Sequence, residues 1–212
     1  MVKNKIFIIL STFITCIFFQ GQALKFRDKN LEKAVLENHD LDKNGFIDKE
    51  EASKLTRLFI VKKGVTTLED LSLFPNVKMV LADDNPIPGI SMKNMNQLEF
   101  FSCTGCQIST FNAENLKKLT SIYLDNNLIE KISLRAIPRI DQLTLSLNKL
   151  KFIEVKELRN LKHLNLEHNQ LQQLDISGNE ALQTLNVGGN KIKETDIKKG
   201  MKTDVTIFGT EP

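Results

Sequence analysis

The chain has 212 residues, 41% hydrophobic and 26% charged, with 13 Phe, one Tyr, no Trp and a formal charge of +3. This composition excludes an intrinsically disordered chain, a collagen-like chain and a disulfide-dense mini-protein, and it allows one or two globular domains. Without Lys3 and Lys5, which lie in a segment expected to be removed, 27 basic residues face 26 acidic ones, too weak a field to support binding to nucleic acid or to an anionic membrane surface.

The first element is a leader. Lys3 and Lys5 precede an apolar run from Ile6 to Phe19, and Gly21-Gln22-Ala23 supplies small residues at the positions a signal peptidase reads. The expected cleavage follows Ala23, giving a segment 1–23 that directs export. The alternative, a membrane anchor, needs roughly 20 apolar residues, and this run is shorter. No later stretch is apolar enough to span a bilayer.

Residues 24–54 read as a helix–loop–helix cap. Leu31, Ala34, Val35 and Leu36 make an apolar stripe on an entering helix that Asp28 or Asn30 can cap, and Glu50 to Leu55 begins an exiting one. Between them, residues 40–51 fit the calcium-loop pattern D-x-[DN]-x-[DN]-G-x5-E without a mismatch. Calcium takes six to eight oxygens at about 2.3–2.6 Å. Asp40, Asp42 and Asn44 would supply one side-chain oxygen each, Phe46 its carbonyl, Asp48 a contact through water and Glu51 two oxygens. Gly45 permits the sharp turn and Ile47 packs behind the loop. The competing reading is an acidic helix-capping linker that happens to fit. With only one such loop, weak extracellular-type affinity is expected. Its predicted role is to cap and stiffen the N-terminal end of the domain that the exiting helix enters at Leu55.

From Val77 onward the chain repeats every 21 residues. Val77-x-x-Val80-x-Ala82-x-x-Asn85-x-Ile87 is followed by Leu98-x-x-Phe101-x-Cys103-x-x-Cys106-x-Ile108. The pattern continues through Leu119/Asn127, Ile140/Asn148, Leu161/Asn169 and Leu182/Asn190 without an insertion. A further apolar column runs through Met92, Ala113, Leu134, Val155, Ile176 and Ile197. Leu55, Leu58, Ile60, Val65 and Leu68 form a degenerate first unit, and Val205 and Ile207 a closing strand. The period-two alternation in Leu164-x-Leu166 predicts one short strand per unit, paired in parallel with its neighbours about 4.8 Å away. The Asn column then sits at a bend where its amide can satisfy backbone groups that would otherwise be buried unpaired. Six or seven aliphatic side chains per unit give about 10–15 kcal/mol of gross burial, and ordering about 21 residues costs at least as much. Stability must therefore come from stacking.

This pattern resembles the leucine-rich repeat, L-x-x-L-x-L-x-x-N/C-x-L. The resemblance covers about Leu55 to Ile207 and implies that residues 55–212 form an α/β solenoid, a horseshoe with short parallel strands and about seven units. An exported chain with one EF-hand-like loop leading into short Asn-rich repeats, among them Leu174-Asp175-Ile176-Ser177-Gly178-Asn179, resembles secreted or surface leucine-rich-repeat proteins of bacteria, Bacteroidetes-like examples in particular.

Cys103 and Cys106 form a C-x-x-C, yet both fall on repeat columns, one inward on a strand and one in place of Asn. No second C-x-x-C completes a four-ligand zinc site. Two buried thiols are the expected state, with a local disulfide as the alternative in an oxidising compartment.

The outward strand positions predict a concave face of two characters. Phe59, Leu81, Phe100 and Tyr123 make an apolar-aromatic patch suited to a protein partner of unknown identity, unless the calcium segment covers Phe59 and Leu81. Asp141, Gln142, Thr144, His163, Asn165, Glu167, His168, Gln183 and Asn186 make a polar stretch. No nucleophile and base have catalytic spacing, and His163, His168 and Glu167 offer at most a loose metal site. The expected function is an exported, non-catalytic protein-binding module with a structural calcium site, the alternative being an assembly scaffold or surface adhesin.

Overall fold

The computed structural model describes residues 21–201 and 204–211. The expected leader therefore lies outside the described residues, apart from its last three. Eight three-residue strands, Arg57–Phe59, Met79–Leu81, Phe100–Ser102, Ser121–Tyr123, Gln142–Thr144, His163–Asn165, Thr184–Asn186 and Thr206–Phe208, pair in parallel in chain order to form one continuous sheet. Each strand is in register with the next, so Leu58, Val80, Phe101, Ile122, Leu143, Leu164, Leu185 and Ile207 stack as one column. The first seven of these are buried and Ile207 is half-buried at the end of the stack. The degenerate first unit and the closing strand fall where the spacing puts them.

A second sheet lies on the back of the solenoid. Gly89–Lys93, Thr110–Glu114 and Lys131–Arg135 pair in parallel, and Leu174–Asp175 pairs with Ile197–Lys198. These strands hold Met92, Ala113, Leu134 and Ile197 of the second apolar column, because Ile90-x-Met92 and Phe111-x-Ala113 also alternate with period two, while Val155 and Ile176 lie outside them. Single 3-10 turns occur at Glu69–Leu73 and Glu194–Asp196, and the α-helices of the described residues are confined to the cap: α1 (Lys29–His39) and α2 (Lys49–Lys54). Units of 21 residues return to the front sheet too soon to close an α-helix of ordinary length on the back.

The buried Asn column holds the turns together. Asn148 accepts from the Ile129 N–H (2.9 Å) and donates to the Leu124 (2.9 Å) and Leu145 (3.1 Å) carbonyls. Asn127, Asn169 and Asn190 repeat this pattern one unit at a time. Preceding each column member is a residue in the left-handed region: Asp84, Gly105, Asn126, Leu147, His168 and Gly189. That conformation turns the chain so that the amide can reach inward.

The Cys103 and Cys106 sulfurs are bonded to each other, which corrects the expectation of two free thiols. The spacing across strand and bend brings the two Cα atoms to 5.8 Å, inside the range a disulfide spans. A sulfur tied up in that bond does not accept from the Ile87 N–H as an amide would. That N–H turns instead to the Asn85 carbonyl (2.8 Å), and a covalent bond stands where the other units have an amide ladder.

The cap closes the N-terminal end of the core. Leu31, Ala34, Val35, Ile47 and Ala52 are buried, and Phe26 packs on Phe74 of the first unit at 6.0 Å. Asp28 caps α1 by accepting from Asn30 and Leu31, while its second oxygen accepts from the Thr66 N–H and hydroxyl and the Thr67 N–H. Asp70 answers by accepting from the Arg27 and Asp28 N–H groups.

Candidate functional sites: an acidic loop and a concave sheet

Two places in the molecule carry chemistry. The first is the loop between α1 and α2. Asp40 accepts from the Asn44 and Gly45 N–H groups, both at 3.0 Å, and Asp42 accepts from the Asn44 amide at 2.8 Å. Asn44 in turn accepts from the Phe46 N–H. Gly45 has φ +86° and a Cβ there would meet nothing within 4 Å, so glycine is required by the backbone turn and not by crowding. Asp48 caps α2 through the Glu51 N–H, and the Glu51 carboxylate reaches back to the Asp48 and Leu41 N–H groups. α2 thus begins at Lys49, one residue before the sequence-based boundary.

These bonds gather three carboxylates. One oxygen each from Asp40, Asp42 and Glu51 lie within 4.8 Å of one another, and Glu51 is buried. Oxygens bound to one calcium at about 2.3–2.6 Å can be at most about 5 Å apart, so the spacing fits that ion. No Lys or Arg pairs with these three carboxylates among the described residues. Their like charges are thus met by no direct ion pair, and Lys54, which feels Glu51 at longer range, is paired with Glu50. Ile47 is buried behind the loop, and its carbonyl accepts from the Leu24 N–H at 2.8 Å. The middle of the loop is thereby tied to the chain before α1, where a second loop is not available to hold it.

The second place is the open face of the front sheet. Phe59 is 54% exposed, with Leu81, Phe100 and Tyr123 half-buried along the same end. Phe100 and Tyr123, diagonal neighbours on adjoining strands, put their rings 5.2 Å apart. The cap covers the end of the core and leaves Phe59 open, so the alternative in which the acidic segment buries that side chain does not hold. Deeper along the face, carboxylates are used internally. Asp83 accepts from the Ser102 hydroxyl and the Thr104 N–H, and Asp125 from the Thr144 and Ser146 hydroxyls and the Ser146 N–H.

At the C-terminal end the face is polar and ends on Phe208, 52% exposed, a residue that sequence reasoning passed over. The signal was present: Ile207 points inward, so the next residue must point out. His163 Nδ1 lies 2.9 Å from the Thr184 hydroxyl, whereas His168 Nε2 is 3.8 Å from Glu167. The two histidines do not converge. Among the described residues, Asp40, Asp42 and Glu51 are the group of metal-ligating side chains that comes together.

The Leucine Rich Repeat family profile matches residues 160–180, the unit carrying Leu161, Leu164, Leu166, Asn169 and Leu171. The parallel ladder and Asn column described above extend that unit's geometry to its neighbours. The fold is the leucine-rich repeat. Among solved structures, internalin C2 of Listeria monocytogenes is similar over 88% of this chain and 93% of its own, with 18% identity and a TM-score of 0.55. The leucine-rich-repeat domain of LRIM1 is similar over 68% of this chain at 16% identity, with a TM-score of 0.51, and the chain spans 55% of that structure. The LRIM1/APL1C complex contains a chain similar over the same 68%, at 16% identity and TM-score 0.50, of which this chain spans 36%. No curated protein matches the sequence. No described helix of this leucine-rich-repeat chain is long and apolar enough to cross a membrane.

Proposed function

We propose that this protein is an exported leucine-rich-repeat binding module that holds a protein partner on the N-terminal half of its concave face and a structural calcium ion in its cap. The observation that carries the reading is the open row formed by Phe59, Leu81, Phe100 and Tyr123. Apolar and aromatic side chains on a rigid sheet lose little entropy on docking, and such patches are where interface energy concentrates. Asp40, Asp42, Asn44, the Phe46 carbonyl and Glu51 would hold the calcium, with Asp48 contributing through water. The ion would supply the charge that three converging carboxylates lack and so brace α1 against α2. Export is supported by the leader at 1–23 and by a disulfide that persists in oxidising compartments.

The test is capture of proteins from culture medium and cell surfaces by the full chain, set beside the Phe100→Ala, Tyr123→Ala double variant. Binding should weaken by about tenfold or more. Unchanged capture would remove the N-terminal patch from consideration. Calcium titration should give a dissociation constant of about 10⁻⁴–10⁻³ M, as extracellular modules do. A Glu51→Gln variant that bound calcium as tightly as the wild type would overturn the metal assignment.

A further inference from the structure

The C-terminal half of the concave face forms an open groove of about 370 Å³, lined along three successive strands and bounded at one end by Phe208. This lies within the roughly 300–1,000 Å³ of small-ligand clefts. Its chemistry differs from that of the rest of the face. No Lys, Arg, Asp or Glu lines it, so it offers nothing to a phosphate backbone or an anionic polymer. What it offers is neutral: amides, hydroxyls and one aromatic ring.

The amides are fixed in direction. Asn165 accepts from the Glu167 N–H at 3.0 Å, and Asn186 accepts from the Gly188 N–H at 3.0 Å. Because a backbone N–H can only be met by the side-chain oxygen, each amide turns its NH2 group away from the chain. Asn165 and Asn186 are register partners on adjacent strands, so two parallel NH2 donors stand about 4.8 Å apart, a spacing of about one pyranose ring. Beside them His163 is steered by Thr184, and the Thr144 hydroxyl gives its proton to Asp125 and keeps its lone pairs for a guest. Gln142 makes no side-chain hydrogen bond among the described residues and presents both a donor and an acceptor.

From this we infer a second binding site: the groove takes a neutral saccharide chain. Sugar hydroxyls donate and accept in alternation, and they match a row of oriented amides and hydroxyls better than a protein surface does. The Phe208 ring supplies the other half of saccharide recognition, since its electron-rich face meets the weakly positive C–H groups of a pyranose. The site is separate from the Phe59–Tyr123 patch and does not depend on a partner there.

The experiment is affinity electrophoresis of the full chain through gels containing soluble neutral polysaccharides: β-1,3-glucan, β-1,4-glucan derivatives, α-1,4-glucan, mannan and xylan. At least one should retard the protein, and the retardation should persist in high salt because no charge is involved. Gln142→Ala and Phe208→Ala remove a side chain that makes no hydrogen bond among the described residues and a ring that is 52% exposed, and each should weaken retention by about tenfold. Phe208→Tyr should keep it, and Phe100→Ala, Tyr123→Ala should leave it unchanged. Absence of retardation on every polysaccharide would overturn the assignment. So would retention by heparin alone, retention unaffected by the groove variants, or release of a protein partner by those variants in the absence of saccharide binding.

Discussion

The repeat body and the cap bury polar groups of different kinds. In the repeats the buried polar side chains are neutral, with Asn85, Asn127, Asn148, Asn169, Asn179 and Asn190 in the turns and Ser102 on a strand. In the cap and the first unit they are carboxylates, Asp28, Glu51 and Asp70. An amide satisfies a donor and an acceptor at once and does not titrate. A carboxylate accepts only, binds cations and responds to acid. The difference keeps the buried groups of the solenoid body from titrating and gathers the buried carboxylates at one end, while the carboxylates of the body held low by their partners, Glu114 beside Lys93 and Asp175 beside Ser177 and Lys198, lie at the surface.

The largest effect expected from that contrast is at Asp28. Asp28→Ala strips acceptors from the Asn30, Leu31, Thr66 and Thr67 N–H groups at once, two of which belong to α1 and two to the first unit. A lost cap and several unmet donors should together cost about 3–5 kcal/mol, read by urea denaturation of the full chain. Acid should do the same more gently. Burial pushes the Asp28 carboxyl up, but hydrogen bonds from Thr66, Leu31 and Thr67 outweigh it and hold the group below its ordinary value. A depressed carboxyl stabilises the fold fully above its unfolded value of about 3.9 and loses that contribution as pH falls through the folded value. Protection of the Leu31 and Thr66 amides, taken relative to their intrinsic exchange at each pH, should fall below about pH 4, before protection at Ile129 or Leu150 does. Simultaneous loosening of both sets would break the comparison.

Asn148→Ala probes the other side of it. The Leu124 and Leu145 carbonyls each keep a second amide donor, from Asn127 and Asn169, but the Ile129 N–H has Asn148 alone. One orphaned buried donor and a small void should cost about 2–4 kcal/mol, with no added pH dependence. Calcium comes next. If it binds only the folded form, a concentration one hundred times its dissociation constant adds about 2.7 kcal/mol, so the melting temperature should rise with calcium and fall with chelator. In an Asp40→Asn, Glu51→Gln variant the two melting curves should coincide. A chelator effect that survives in this variant would move the ion elsewhere.

The ladder was legible in the sequence because six units run without an insertion, and a strict period places Leu164, Leu166 and Asn169 before any contact is known. The gathering of acidic groups was legible for a similar reason: Asp40, Asp42 and Glu51, whose oxygens the fold brings together, lie within twelve consecutive residues. What was hidden depends on long-range contact or on chemistry the pattern leaves open. Asp28 reads as a helix cap, and nothing in the local sequence shows that its second oxygen serves Thr66 and Thr67, 38 and 39 residues away. Cys103 and Cys106 satisfy the repeat columns equally well as thiols or as a disulfide. The back strands escaped because Ile90-x-Met92 is too short a period-two run to distinguish from a column of single contacts.

Leu147 is a place where the repeat departs from its own logic. The residue before each column member adopts the left-handed region, and the others there are Asp84, Gly105, Asn126, His168 and Gly189. Gly takes that conformation freely, and Asn, Asp and His enter it more readily than other residues. Leu147, at φ 55° and 52% exposed, has neither a local hydrogen bond of its side chain nor burial to offset the close approach of Cβ to the backbone. Its backbone bonds, to the Glu167 carbonyl and from the Asn127 N–H, do not depend on the side chain. Leu147→Asn should keep both and stabilise the protein by about 1 kcal/mol, a gain visible as a higher urea midpoint at unchanged slope. Since the site lies in the repeat body, the gain should be the same at pH 4 and pH 7 and with or without calcium. A gain that varied with either would mean that the two ends of the molecule are energetically coupled through the stacked turns.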